Sequence, residues 1–188
     1  MLIWSEYFAT GITTVDDQHQ RLFELLNRLI KSFEVGMPDE DMIASVLQEL
    51  LDYANQHFSD EETLMTEHHI DERHLSIHRM EHKSFNYDLQ KLQLHTNVDE
   101  DEVQTAERLV RFITSWLIYH ILGIDMIMAA QLRAIEQGLS PQQAYESYKK
   151  IGRDATTTQL ILDAVLDLWR GSTEHCRVLE AKLASYQK

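Results

Sequence analysis

LVRFITSWLIYHILGIDMI, residues 109–127, decides the fold. Its apolar residues Leu109, Val110, Phe112, Ile113, Trp116, Leu117, Ile121, Ile124 and Ile127 recur at helical spacing. A helix this apolar is buried on most sides, so it requires other helices around it. His120 and Asp125 stand inside the apolar run. A buried imidazole or carboxylate is costly without a partner, so both residues call for one.

Working outward, the same period recurs upstream. From Asp17 a first helix carries Leu22, Phe23, Leu25, Leu26, Leu29, Ile30 and Phe33, and Gly36-Met37-Pro38 ends it. Pro38 and Asp39 open a second, with Val46, Leu47, Leu50, Leu51, Ala54, His57, Phe58, Glu61 and Met65 on its buried stripe. A break falls near Thr66 to Ile70. Asp71 is a plausible N-cap for a third helix reaching about His95. Asp99 or a nearby acid starts the fourth, which continues towards Gly138. Four helices joined by short loops predict an all-α, antiparallel up-down four-helix bundle over residues 1–137. Residues 1–14 read as irregular, with Trp4, Tyr7 and Phe8 free to pack on the bundle. Residues 138–188 predict additional C-terminal helices. Ser140 caps and Pro141 opens one that runs to about Lys150. Gly152 breaks it, and a last helix follows from about Asp154.

The 188 residues are 44% hydrophobic, enough for one core and a smaller appendage. Six glycines and two prolines argue against turn-rich β folds. A net charge of −14 excludes nucleic acid and anionic membrane surfaces as natural partners. No apolar run approaches the ~20 residues that span a bilayer. The start, MLIWSEYFATG, has no basic n-region or apolar h-region. Cys176, the single cysteine, excludes an intramolecular disulfide, so a cytoplasmic location is expected.

The placement of the histidines carries the functional signal. His57 and Glu61 stand four apart, as do His78 and His82, so each pair projects from one helix face. His19 lies in the first turn of the first helix and His120 midway along the fourth. Asp125 is five residues beyond His120, which in a regular helix turns it about 140° away. Both reach one point only through a π-type turn, predicted over roughly Tyr119 to Asp125, with Gly123 inside it. His74 and His78 also stand four apart, so the third helix offers two overlapping pairs. Imidazole mixed with carboxylate suits iron and similar transition metals, and Glu61 could bridge two of them. His68, His69, His95 and His175 read as solvated residues and Cys176 as an inert thiol.

Four stretches resemble the bacterial members of the hemerythrin family: WSEYFATGITTVDDQHQRL (4–22), HFSDEETLM (57–65), HRMEHKSF (78–85) and WLIYHILGID (116–125). The resemblance covers residues 4 to about 130. It implies two non-heme irons joined by an oxide or hydroxide bridge, with O2 as their ligand. It implies terminal ligands His19, His57, His78, His82 and His120, and bridging Glu61 and Asp125. Trp116, Leu117, Ile121 and Phe23 become candidates for the O2 pocket lining. The stretch after Met65 is about two residues longer than the family's usual spacing; Phe85 favours the His78 and His82 pair. IDERHLSIHRMEH (70–82) is similar to hemerythrin domains fused to diguanylate cyclases. That similarity implies an O2- or redox-sensing domain for cyclic-di-GMP signalling. Residues 138–188 would then be a linker to an output domain or to a homodimer partner, with Gly152 and Gly171 as hinges. A stand-alone O2 carrier is one alternative, and a diiron oxidase, peroxidase or iron-handling protein another.

Overall fold

The computed structural model describes residues 2–34, 40–94, 102–148 and 155–167. Helix α1 spans Thr13–Glu34, α2 Glu40–Glu67, α3 Glu72–Leu94 and α4 Glu102–His120. A π turn over Ile121–Asp125 continues α4 into α5, Met126–Glu136. Helix α6 covers Pro141–Tyr148, and α7 covers 155–167. No strand occurs among the described residues. Helices α1 to α4 each pack on the next in sequence, and α1 closes the ring on α4. The fold is therefore the all-α helical bundle expected of the sequence, with further helices after it.

The turns show how the chain reverses. After α2, His69 adopts a left-handed conformation (φ 55°). The Ile70 amide then donates to Met65 O at 2.9 Å, and the His69 amide to Thr66 O at 3.1 Å. This paired closure is a Schellman turn, with apolar Met65 and Ile70 meeting beneath it. Gly138 (φ 94°) repeats the device after α5, its amide donating to Ile135 O and that of Leu139 to Ala134 O. Asp71 caps α3 through Oδ1, which accepts from the Arg73 amide at 3.0 Å. Ser140 and Gln143 form a reciprocal capping pair on α6: the Gln143 amide donates to Ser140 Oγ and the Ser140 amide to Gln143 Oε1.

Helix α1 begins at Thr13, four residues before the expected Asp17, and a single 3-10 turn at Glu6–Phe8 interrupts the irregular arm. Asp16 explains the early start. Its Oδ1 accepts from both the Thr10 amide and Thr10 Oγ1 at 2.7 Å, and its Oδ2 from the Gly11 amide at 3.0 Å. A carboxylate in the first turn gathers these donors and fixes the arm against the helix.

The expectation about bilayer-spanning length needs correction. The continuous helix Arg108–Glu136 is long and apolar enough by length and composition to cross a membrane. It is 67% buried over its most apolar window, because it supplies the inner wall of the bundle. The Gly36 to Pro38 break, Asp39, Asp99, Lys150, Gly152, Asp154 and Gly171, with His95, His175 and Cys176, lie outside the described residues.

Two apolar clusters fill the interior. The larger includes Leu22, Phe23, Leu26, Leu50, Phe58, Phe85, Ile113 and Trp116; Leu160 and Ile161 of α7 pack on it. The smaller comprises Val15, Met65, Ile70, Leu75, Met128 and Leu132. In all four chain segments the predicted ligands fall at the junction between the two clusters. A polar layer is thus closed off above and below by apolar side chains.

Candidate metal centre

His19 comes from α1, His57 and Glu61 from α2, His78 and His82 from α3, His120 from the end of α4, and Asp125 from the π turn. All seven side chains are buried. They form two groups of potential ligand atoms, each with all its atoms within 4.8 Å of one another: Glu61, His78, His82 and His120, and His19, His57, Glu61 and Asp125.

Glu61 belongs to both groups. Its Oε2 lies 3.1 Å from His78 Nε2, 3.4 Å from His82 Nε2 and 3.6 Å from His57 Nε2, and its Oε1 lies 4.0 Å from His19 Nε2. Asp125 spans the same gap: Oδ2 is 3.2 Å from His19 Nε2, while Oδ1 is 3.1 Å from His120 Nε2 and 3.3 Å from His78 Nε2. Neighbouring donors around a metal with bonds of about 2.1 Å stand roughly 3 Å apart. The spacing therefore fits cations. The hydrogen-bond pattern agrees. His19 Nε2, Glu61 Oε1 and both Asp125 oxygens are buried without a hydrogen-bond partner among the described residues. So many orphaned polar atoms in one layer are costly unless coordination satisfies them.

The π turn produces this arrangement. It adds one residue to the helical turn between His120 and Asp125, so that both face the layer. Asp125 is 0% exposed and Ile121 to Ile124 are buried around it.

Two hydrogen-bond chains orient the imidazoles. His57 Nδ1–H donates to Gln18 Oε1 at 2.9 Å, and Gln18 Nε2 donates to Asp60 Oδ2 at 2.7 Å. His82 Nδ1–H donates to Glu62 Oε1 at 3.1 Å, while Arg79 Nε donates to Glu62 Oε2 at 3.1 Å. In each case the outer contact fixes the tautomer that leaves Nε2 with its lone pair facing the centre. Gln18 and Glu62 were not singled out from the sequence. Glu62, the second acid of the HFSDEE stretch, carried a signal; Gln18, before His19, carried none, because its role depends on α1 packing beside α2.

Electrostatics favour ligand forms at most positions. Burial, reinforced by neighbouring His19, pushes His57 well below the ordinary histidine value. Burial also lowers His78 and His82, so all three are shifted towards the neutral imidazole. Burial opposes protonation of His19, but Asp125 and Glu61 outweigh it and raise the value. Glu61 is pushed up by burial and by Asp125. Burial acts on Asp125 in the same sense, but His120 and His19 hold it well below the usual carboxylate range.

Beside the layer lies a small cavity of about 10 Å³. That is room for about one water or a diatomic molecule, and not for an organic substrate. Trp116, Leu117 and Ile121 line it, with Phe58, Leu22 and Ile113; His57, His120 and Asp125 form its polar wall. Phe23 does not line it. Phe23 packs edge-on against Trp4 and Phe8 of the N-terminal arm, with ring centroids 5.4 and 5.0 Å away. Two of the candidate ligand rings are backed by aromatic plates: Phe58 stacks on His82 at 4.0 Å and Trp116 on His120 at 4.2 Å.

His74 belongs to neither group of ligand atoms. It is buried one turn before His78, and burial, with His78 nearby, lowers its value to about 4. His68 and His69 are exposed at the end of α2.

Residues 10–132 match the model of the family described as Hemerythrin HHE cation binding domain. The chain is 31% identical over 128 residues to the bacteriohemerythrin of Clostridium acetobutylicum, covering 66% of this chain and 96% of that protein. It is 30% identical over 134 residues to the bacteriohemerythrin of Stenotrophomonas maltophilia, covering 71% and 83%. A hemerythrin-like protein of Naegleria gruberi is 32% identical over 123 residues, covering 65% and 87%. No solved structure gives a significant match. The chain belongs to the hemerythrin family. That family binds a diiron centre and O2, and the two clusters here have the donors for two metal ions.

Proposed function

We propose that the seven residues hold two irons asymmetrically. His78, His82 and His120 serve one iron, His19 and His57 the other, and Glu61 and Asp125 bridge them. Three imidazoles on one side and two on the other would leave the irons unequally supplied with protein donors, so that O2 would bind at the one with fewer. The observation that carries this reading is that both carboxylates span the two histidine groups. Bound there, the iron pair supplies two electrons and a site for O2.

The protein's part is to place and protect. Gln18 and Glu62 hold the His57 and His82 rings in orientation. Trp116, Leu117, Ile121 and Phe58 keep water and protons away from the small cavity, and a dry pocket favours reversible binding over loss of a reduced oxygen species. No side chain beside the cavity is placed as a nucleophile, and the cavity admits no organic substrate.

The finer reading is an O2- or redox-sensing regulatory domain, with residues 1–137 as the diiron bundle and 138–188 as a linker that reports its state. A cytoplasmic location belongs to this reading. The supports are α6 and α7, which extend past the residues matching the family, and the likeness of IDERHLSIHRMEH to domains coupled to cyclic-di-GMP synthesis. Its partner is an output domain or a second copy joined through the last helix.

The test is iron analysis with optical spectra of the reduced protein before and after O2. Two irons per chain and an oxo-bridged diferric spectrum are expected. One iron or none would overturn the site. A spectrum that reverses when O2 is removed favours carriage, and one that does not favours redox sensing.

A further inference from the structure

One buried side chain, His74 of α3, stands between helix α6 and the metal layer. His74 is 2% exposed, and its Nε2 has no hydrogen-bond partner among the described residues. Its ring stands edge-on to that of His78, with centroids 5.6 Å apart at 84°. The Tyr148 ring of α6 lies 6.4 Å from it at 58°. The neighbouring residue makes the same connection outside. The Arg73 guanidinium sits 4.2 Å over the Tyr145 ring, and its Nη2 lies 3.9 Å from Glu146 Oε1. Tyr145 and Tyr148 are themselves in edge contact at 5.3 Å. The first turn of α3 is thus clasped by α6, and α6 lies beyond residues 10–132, the extent of the family match.

Packing alone does not account for a histidine here. An apolar side chain of the same size would fill the space without burying an unsatisfied nitrogen, which costs free energy. His78 Nδ1 is likewise buried without a partner among the described residues. A metal-ligating histidine ordinarily donates from its second ring nitrogen to a neighbour that sets its orientation. Outside the seven candidate ligands, the His74 ring, itself with an orphaned nitrogen, stands in edge contact with His78.

We propose that His74 is a positioning residue for the metal centre. It orients His78 and, through Tyr148, couples the state of that ligand to α6. The inference rests on the diiron reading above. Any change in His78 on oxidation of the centre is then felt first at the C-terminal half of α6, where Tyr148 lies. The chain from His78 through His74 to Tyr148 is the physical link that a reporting linker requires, and both ends bias the same ring.

The test uses the iron-loaded full chain with His74→Phe, His74→Gln and Tyr148→Leu. Iron content, the ratio of oxidised to reduced protein at a fixed potential, and hydrogen exchange across residues 141–148 are measured in both oxidation states. In the wild type, exchange in α6 is expected to differ several-fold between the states. His74→Phe keeps two irons, changes the ratio threefold or more and removes the α6 difference; His74→Gln, which retains a donor and an acceptor, restores part of both. Tyr148→Leu keeps irons and ratio but removes the α6 difference, and it decides the coupling if His74→Phe does not fold. Two irons with an unchanged ratio in His74→Phe, or an α6 that exchanges identically in both wild-type states, would overturn the inference while leaving the diiron reading intact. A wild-type chain that takes up no iron overturns both.

Discussion

His120 Nε2 lies 3.1 Å from Asp125 Oδ1, although five residues separate them on one continuous helix. In a regular helix the two would diverge by about 140°. The π turn at Ile121–Asp125 removes that divergence. Gly123 sits inside the turn, yet it is not among the residues of positive φ, and a Cβ there would meet the Tyr119 ring at 3.5 Å, an ordinary contact. Gly123→Ala should therefore keep two irons. Alanine's better helix propensity should leave stability unchanged or raise it by up to about 1 kcal/mol. Iron content and urea denaturation check this. Lost iron would show that the turn needs glycine's freedom after all.

Glu62 accepts from His82 Nδ1–H and from Arg79, and Gln18 accepts from His57 Nδ1–H. Neither touches the centre directly, so truncation leaves the ligand set complete but loosely oriented. Glu62→Ala and Gln18→Ala should each weaken iron retention by about 10- to 100-fold. Competition against a chelator reads this out. Thermal stability should fall far less than it does for removal of a ligand. Retention equal to the wild type in both variants would mean that packing alone orients the rings.

What was legible in the chain follows from what each contact depends on. The bundle, the meeting of His57 with Glu61 and of His78 with His82, and the π turn all rest on positions along one helix, where spacing fixes direction. Gln18, Glu62 and His74 act across helices, and their partners depend on how α1, α3 and α6 pack. Phe23 shares the apolar stripe of Leu22, and periodicity cannot tell which of the two faces the cavity; the arm residues Trp4 and Phe8 claim Phe23. The start of α1 at Thr13 was hidden because Asp16 gathers its donors from backward in the chain, at Thr10 and Gly11.

Asp71 caps α3 and pairs with Arg73, whose Nε and Nη2 both donate to it at 2.8 Å. The Arg73 side chain and amide hold the Asp71 carboxyl below its ordinary value of 3.8. A depressed folded value means stability that is fully present above the unfolded value and lost as pH falls through the folded one. Asp71→Ala should cost about 1 kcal/mol at pH 7, chiefly through the cap, since an exposed pair adds little. The difference from wild type should shrink below about pH 3.8 and vanish once the carboxyl is protonated. Asp71→Asn, which still caps, should lose much less at pH 7. Urea midpoints across pH decide it, and a penalty independent of pH would assign the effect to something other than the charged cap.

Trp116 stacks on His120 at 4.2 Å and lines the small cavity, and Phe58, stacked on His82, meets Trp116 edge-on at 5.5 Å. On the proposed reading these rings wall off the centre as well as packing the core. Trp116→Ala should cost about 3–5 kcal/mol in stability, because it deletes a buried aromatic. It should also admit water beside His120 and Asp125. The reduced, iron-loaded variant should then oxidise irreversibly in air several-fold faster than wild type, with Trp116→Phe in between. Timed absorbance after exposure to air measures the rate, and denaturant unfolding the stability. A variant that loses stability as expected but oxidises at the wild-type rate would show that Trp116 packs the core without shielding the centre.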